Sequence, residues 1–271
     1  MRMTDTSPLR VAAVQFAPGP DAARNAAAVR HTVASAAADG VQLLVFPEYT
    51  SVFDGAPSAA AVAAAQPLDG PFLDEVRSVA AAEGVAVVLG LVESVEGGER
   101  FANTLVGIAA DGSIGAVYRK VHLYDAFGAA ESRFVRPGEP GAPAVFSVSG
   151  IVVGLQTCYD LRFPESSRVL IDAGAELLVV PAQWVPGPAK ESHWSTLLAA
   201  RAIENTAYVL AADHPAPHGV GLSALYGPDG VLLAGAGAAE AVVSGVVEPD
   251  ELARVRAVNP ALGSRRYRVV V

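Results

Sequence analysis

Three residues able to move protons or electron pairs each follow an apolar run. Glu48 follows VQLLVFP, Lys120 follows AVYR, and Cys158 follows VGLQT. A thiolate attacks a carbonyl carbon, a carboxylate relays protons, and an ammonium holds the negative oxygen that develops. Such a set makes a nucleophilic site without histidine. Each residue alone has an ordinary reading: a solvated acid after Pro47, a surface lysine, a cysteine acting as a small buried hydrophobe. Their joint place at three strand ends is what marks them.

Cys158 is the only cysteine in 271 residues. Before it, Ile151, Val152, Val153 and Leu155 form a β-branched run too short for a helix. After it, Pro164 suits the first position of a helix. The thiol thus stands on a strand-to-helix turn, where α/β sheets collect ligands and catalytic groups. The nearby helix start predicts a lowered thiol pKa. Of 19 cationic residues only Lys120 and Lys190 are lysines, and a compact ammonium is not replaceable by an arginine fork. Arg162, just after the cysteine, has two readings. It faces the mouth of the site, where its fork takes a substrate carboxylate, or it clamps Asp160 or Glu165.

The elements that must position these residues follow from pattern. Strands are expected at 9–17, 41–46, 85–94, 101–109, 113–118, 151–155, 176–180, 208–212, 222–226, 231–233 and 241–247. Helices are expected at 21–39 with Asp21 as N-cap, within 57–69, and at 72–83, 164–173, 189–204 and 249–258. Asp111-Gly112 is a hairpin signal, and GAGAAE (235–240) reads as a hairpin loop. Residues 121–143 are irregular and long enough to be functional. Strands and helices alternate with hairpins mixed in, so the class is α/β, a mixed sheet covered by helices. No repeat or linker divides the chain. It reads as one domain, with a core over about 9–250 and a C-terminal helix and tail at 251–271.

Composition excludes several classes. The net charge of −9 leaves no basic excess to neutralise phosphates, which argues against nucleic acid and anionic membrane. No apolar run reaches a bilayer-spanning length and no signal core is visible. A single cysteine allows no internal disulfide and suits a cytoplasmic location. The five histidines show no metal spacing, and GxSxG is absent. A papain-like pair of Cys158 with His193 lacks its local signature.

FPEY (46–49), YRKVHL (118–123) and CYDLRFPE (158–165) resemble the three signature motifs of the nitrilase superfamily, the carbon–nitrogen hydrolases. VVPAQW (179–184), HWSTLLAARAIENTAYV (193–209) and the NPALGSRRY tail are similar to that family too, so the likeness runs from about Leu9 to Tyr267. The resemblance implies an αββα sandwich that pairs into a homodimer or larger homo-oligomer. It implies Glu48 as general base, Lys120 as oxyanion-stabilising lysine, Cys158 as nucleophile, and Glu131 as the acid that orients Lys120 or substrate. Tyr159 supplies a second oxyanion donor through its N–H. Tyr49, Arg162 and Trp184 join it as substrate-binding residues.

The implied activity is hydrolysis of a small linear amide through a thioester on Cys158, without cofactor or metal. The CYDLRFPE variant most resembles the omega-amidase branch, whose substrate class is a dicarboxylate monoamide. An N-carbamoyl amine or amino-acid hydrolase is the alternative within the fold; a catalytically silent scaffold is the alternative outside it. The shorter segment 214–223 and Gly227 depart from the family pattern and bear on the pocket rim.

Overall fold

The apolar strand runs are buried on both faces. In the first strand Val11 and Ala13 face one cluster while Ala12 and Val14 face another. Continuous apolar strands of this kind need cover on two sides. The computed structural model describes residues 7–270. Its elements in chain order are β1 (Leu9–Gln15), α1 (Ala22–Ala38), β2 (Leu43–Val45), α2 (Ala59–Ala64), α3 (Pro71–Glu83), β3 (Ala86–Ser94), β4 (Phe101–Ile108), β5 (Ile114–Arg119), β6 (Val135–Arg136), β7 (Val145–Val148), β8 (Ile151–Leu155), α4 (Pro164–Asp172), β9 (Leu177–Ala182), α5 (Lys190–Asn205), β10 (Tyr208–Asp213), β11 (Ala224–Tyr226), β12 (Leu232–Gly235), β13 (Ala241–Val247) and α6 (Pro249–Val258).

Two mixed sheets stack face to face. One runs β13-β1-β2-β3-β4-β5 with β6 beside β4, and the other runs β12-β11-β10-β9-β8-β7. The centres are parallel: β1, β2 and β3 in one sheet, β8, β9 and β10 in the other. Leu43, Val45, Leu105, Leu155, Val179 and Leu210 fill the space between the sheets. Leu44 on the outer face of the first sheet packs with Val29 and Val33 of α1 and Leu73 and Val76 of α3. Leu178 on the outer face of the second packs with Leu170 of α4 and Leu198 of α5. The order helix, sheet, sheet, helix is the αββα sandwich expected.

The hairpin expected over residues 235–240 is not one. β12 pairs with β11 in the second sheet, whereas β13 pairs with β1 in the first. The segment therefore crosses between sheets, and Gln15 ties it down by donating to the carbonyls of Gly237 (2.7 Å) and Ala239. Asp21 caps α1 as expected, accepting from the N–H groups of Ala23 and Arg24. β1 and β2 are shorter than the runs that announced them.

Candidate active site

β2, β3 and β5 run in one direction, so the chain leaves β2 and β5 at the same edge of their sheet, with Glu48 and Lys120 just beyond. The facing sheet brings the end of β8, and with it Cys158, to the same place. Lys120 Nζ lies 2.9 Å from Glu48 Oε1 and 3.0 Å from Glu131 Oε2. Glu131 enters on a 3-10 turn (Glu131–Arg133) inside the long loop. All three are almost wholly buried. Cys158 opens a second 3-10 turn, Cys158–Arg162, and its φ of 47° lies in the left-handed region. Such strain in a non-glycine residue persists only where the surroundings enforce it.

Each carboxylate oxygen is accounted for. Glu48 Oε1 accepts from Asn103 Nδ2 at 2.6 Å and from Lys120; Oε2 accepts from the Gln183 N–H at 2.7 Å. Glu131 accepts from the Tyr49 hydroxyl at 2.6 Å, from Asn103 Nδ2 at 3.1 Å and from the Tyr124 N–H at 2.6 Å. Cys158 Sγ lies 3.6 Å from the Gln183 carbonyl. Behind the thiol, Asp160 accepts from Tyr118 Oη at 2.8 Å and from the Thr157 N–H at 3.1 Å, tying the lysine strand to the cysteine turn. Gly90 in β3 makes room for the Glu48–Tyr49 turn: a Cβ there would stand 2.4 Å from the Tyr49 nitrogen.

Burial sets the protonation states. It pushes the Cys158 thiol well above its usual pKa, the Glu48 charge adds to the rise, and Lys120 offsets only part of it. This corrects the expectation of a lowered value: full desolvation outweighs the helix start. Burial also raises Glu48, against the pull of Lys120 and with a push from Glu131. In Glu131, burial is outweighed by Lys120 and the Tyr49 and Tyr124 donors, so its pKa is lowered. Burial works against the Lys120 ammonium, yet Glu131 and Glu48 together hold its pKa well above the usual value. The resting site thus combines a thiol, a fixed cation and a carboxylate whose pKa is raised toward the working range of a base.

Arg162 pairs with neither Asp160 nor Glu165, so the clamp reading fails. Its guanidinium approaches His193 Nδ1 at 3.2 Å and lies over the rings of Trp184, Phe127 and Tyr159. The hydrogen-bond contact of Cys158 Sγ among the described residues is the Gln183 carbonyl and not His193, so the papain-like pair is not formed. Tyr159 and Trp184 line the same small chamber as Cys158 and Arg162. Tyr49 backs Glu131 through its hydroxyl and also lines the adjoining cleft that Cys158 faces. The Tyr159 N–H stands at the start of the 3-10 turn, where amides lack an intrahelical acceptor. Cys158 also opens to a cleft of about 460 Å³ bordered by Glu48, Lys120 and Glu131. A larger cavity of about 770 Å³ opens elsewhere, beside β5 and α4, and holds none of the four groups. Among the described residues no cluster of potential metal ligands exists. No described helix is long and apolar enough to cross a membrane.

The family model for carbon-nitrogen hydrolases matches residues 10–257. The deaminated glutathione amidase of Escherichia coli O157:H7 is 43% identical over 258 residues, 95% of this chain and 97% of that one. Among solved structures, the NitFhit protein of C. elegans superposes with a TM-score of 0.87 at 27% identity, covering 96% of this chain and 66% of that one. A cysteine-to-alanine variant of the amidase from Nesterenkonia sp. AN1, in complex with butyramide, superposes with a TM-score of 0.78 at 30% identity over 92% of this chain and 95% of that one. The chain belongs to the carbon–nitrogen hydrolase family, and it is an enzyme of amide C–N hydrolysis.

Proposed function

We propose that the chain hydrolyses amides whose acyl end carries a carboxylate, as in a dicarboxylate monoamide. The observation that carries this reading is the place of Arg162. Its guanidinium borders the chamber beside Cys158, has no carboxylate within ion-pair distance among the described residues, and leaves its buried Nε without a partner. An arginine fork so placed matches a carboxylate through two parallel hydrogen bonds.

The chemistry runs through one base. Cys158 gives its proton to Glu48 as sulfur attacks the amide carbon, so the buried thiol never exists as a free thiolate. Lys120 Nζ and the Tyr159 N–H receive the oxyanion. Collapse expels ammonia or an amine, which takes the proton from Glu48 and leaves a thioester on Cys158. Glu48 then deprotonates a water that attacks the thioester, and the proton returns to sulfur as the acid departs. Glu131 and Asn103 hold Lys120 and Glu48 in place.

Monoamides of dicarboxylic acids compared with uncharged amides of equal length, deaminated glutathione among the acidic set, test the reading. Wild type should prefer the acidic set, and Arg162→Ala should lose that preference, mainly in kcat/KM. Equal turnover of both sets by wild type overturns it. Release of ammonia from N-carbamoyl amino acids instead would favour that branch. A cytoplasmic location and self-association belong to the same proposal. The half-exposed Ile203 on α5 and the exposed Val258 on α6 are apolar surface that a second copy would cover; light scattering tests it.

A further inference from the structure

Lys190 is a charge placed where burial and the helix start both oppose it. It is the first residue of α5, where the helix macrodipole disfavours a cation. It is 4% exposed, and no carboxylate lies within ion-pair distance of it among the described residues. Glu191, in the same turn, is exposed and forms no ion pair with it. The Lys190 ammonium donates to Tyr124 Oη at 2.7 Å and lies 4.6 Å from the ring centres of Tyr124 and Phe127 and 5.5 Å from that of Trp184. Arg162 sits over two of the same rings, Phe127 at 5.6 Å and Trp184 at 4.9 Å. Burial, and then the charge of Arg162, pull the Lys190 pKa below the usual lysine value. Two cations therefore share one aromatic box, and both border the chamber that contains Cys158.

We propose that Lys190 and Arg162 form a single anion subsite in which Lys190 exchanges Tyr124 for the carboxylate of the substrate. This rests on the reading of the substrate as an acidic amide and adds a second residue to its recognition. The chamber as it stands has a volume of about 10 Å³, roughly the space of one water. A carboxylate enters only when the Lys190–Tyr124 contact opens. Tyr124 lies on the loop that leads to Glu131, and its own N–H holds Glu131 Oε2. The latch thus joins α5 to the segment that orients Lys120. The incoming anion relieves the repulsion between the cations and the unfavourable helix start, so the cost carried by the empty enzyme is returned when acid binds.

A structural lysine and a ligand-binding lysine differ in sign on stability. Lys190→Met should raise the Tm of the unliganded protein, because a buried, unpaired charge is replaced by a side chain of similar length. The same change should lower the ratio of kcat/KM for glutaramate over valeramide by about 10- to 100-fold, as loss of one charge-assisted hydrogen bond implies. Glutarate should raise the Tm of wild type and do so less in the variant. Lys190→Gln should behave alike and serves if the methionine variant fails to fold. A lower Tm in both variants with the glutaramate preference and the glutarate shift retained overturns the subsite. If Arg162→Ala loses the preference while Lys190→Met keeps it, only the lysine's part falls. If wild type shows no preference at all, the acidic-amide reading falls and the subsite with it.

Discussion

Glu48 is fixed by the backbone of Gln183, whose N–H donates to Glu48 Oε2 at 2.7 Å. The carbonyl of the same residue lies 3.6 Å from Cys158 Sγ. The residue that follows β9 thus sets the base and the nucleophile in register through its backbone, whose N–H only a proline substitution would remove. Preorganisation of this kind is worth orders of magnitude, since small displacements of reacting groups are costly.

Lys120→Arg should fail nearly as badly as Lys120→Ala. Two buried carboxylates close on a compact ammonium, and a guanidinium cannot occupy the same point or aim one proton at the oxyanion. Loss of an oxyanion donor costs about 10²–10³ in kcat. Steady-state kinetics on folded variants checks this; near-normal kcat in Lys120→Arg would reduce Lys120 to a generic charge.

Glu131→Gln should move the acid limb of the pH profile. The Glu131 charge is one of the causes that raise Glu48. Removing it eases ionisation of Glu48, so the acid limb of kcat/KM shifts to lower pH. At the same time Lys120 loses its bidentate partner, and kcat should fall by about 10². An unmoved limb, or a shift to higher pH, would contradict the assignment of Glu48 as the titrating base.

His214 should make stability acid-sensitive. Burial lowers its pKa from 6.5 to about 4, and its Nε2–H donates to the Glu48 carbonyl at 2.7 Å. The folded value is depressed, so its contribution is present above pH 6.5 and is lost as pH falls toward 4. The two values give about 3 kcal/mol across that window. Urea unfolding at steps between pH 7 and pH 4 should show a steeper loss in wild type than in His214→Gln. Parallel curves would remove His214 from the acid response.

What was legible in the sequence was whatever had a side-chain signature at a boundary. Glu48, Lys120 and Cys158 stand where apolar runs stop, and the loop acid Glu131 joins Lys120 as the motif resemblance implied. Asn103 was hidden inside β4, although an Asn-Thr pair within an otherwise apolar strand is a faint signal, since Asn is depleted in strands. Gln183 had no signature because its backbone does the positioning. The direction of the Cys158 pKa turned on burial, which periodicity does not measure. The crossing after β12 was misread because turn-rich residues join strands of different sheets as readily as strands of one.

Formation of a thioester on Cys158 with Glu48 as base is open to intact-mass analysis of rapidly quenched mixtures with an amide substrate. An added mass equal to the acyl group should appear, map to the Cys158 peptide and be absent in folded, inactive Cys158→Ala. Turnover by the alanine variant, or an acyl group mapped to any other residue, would contradict it.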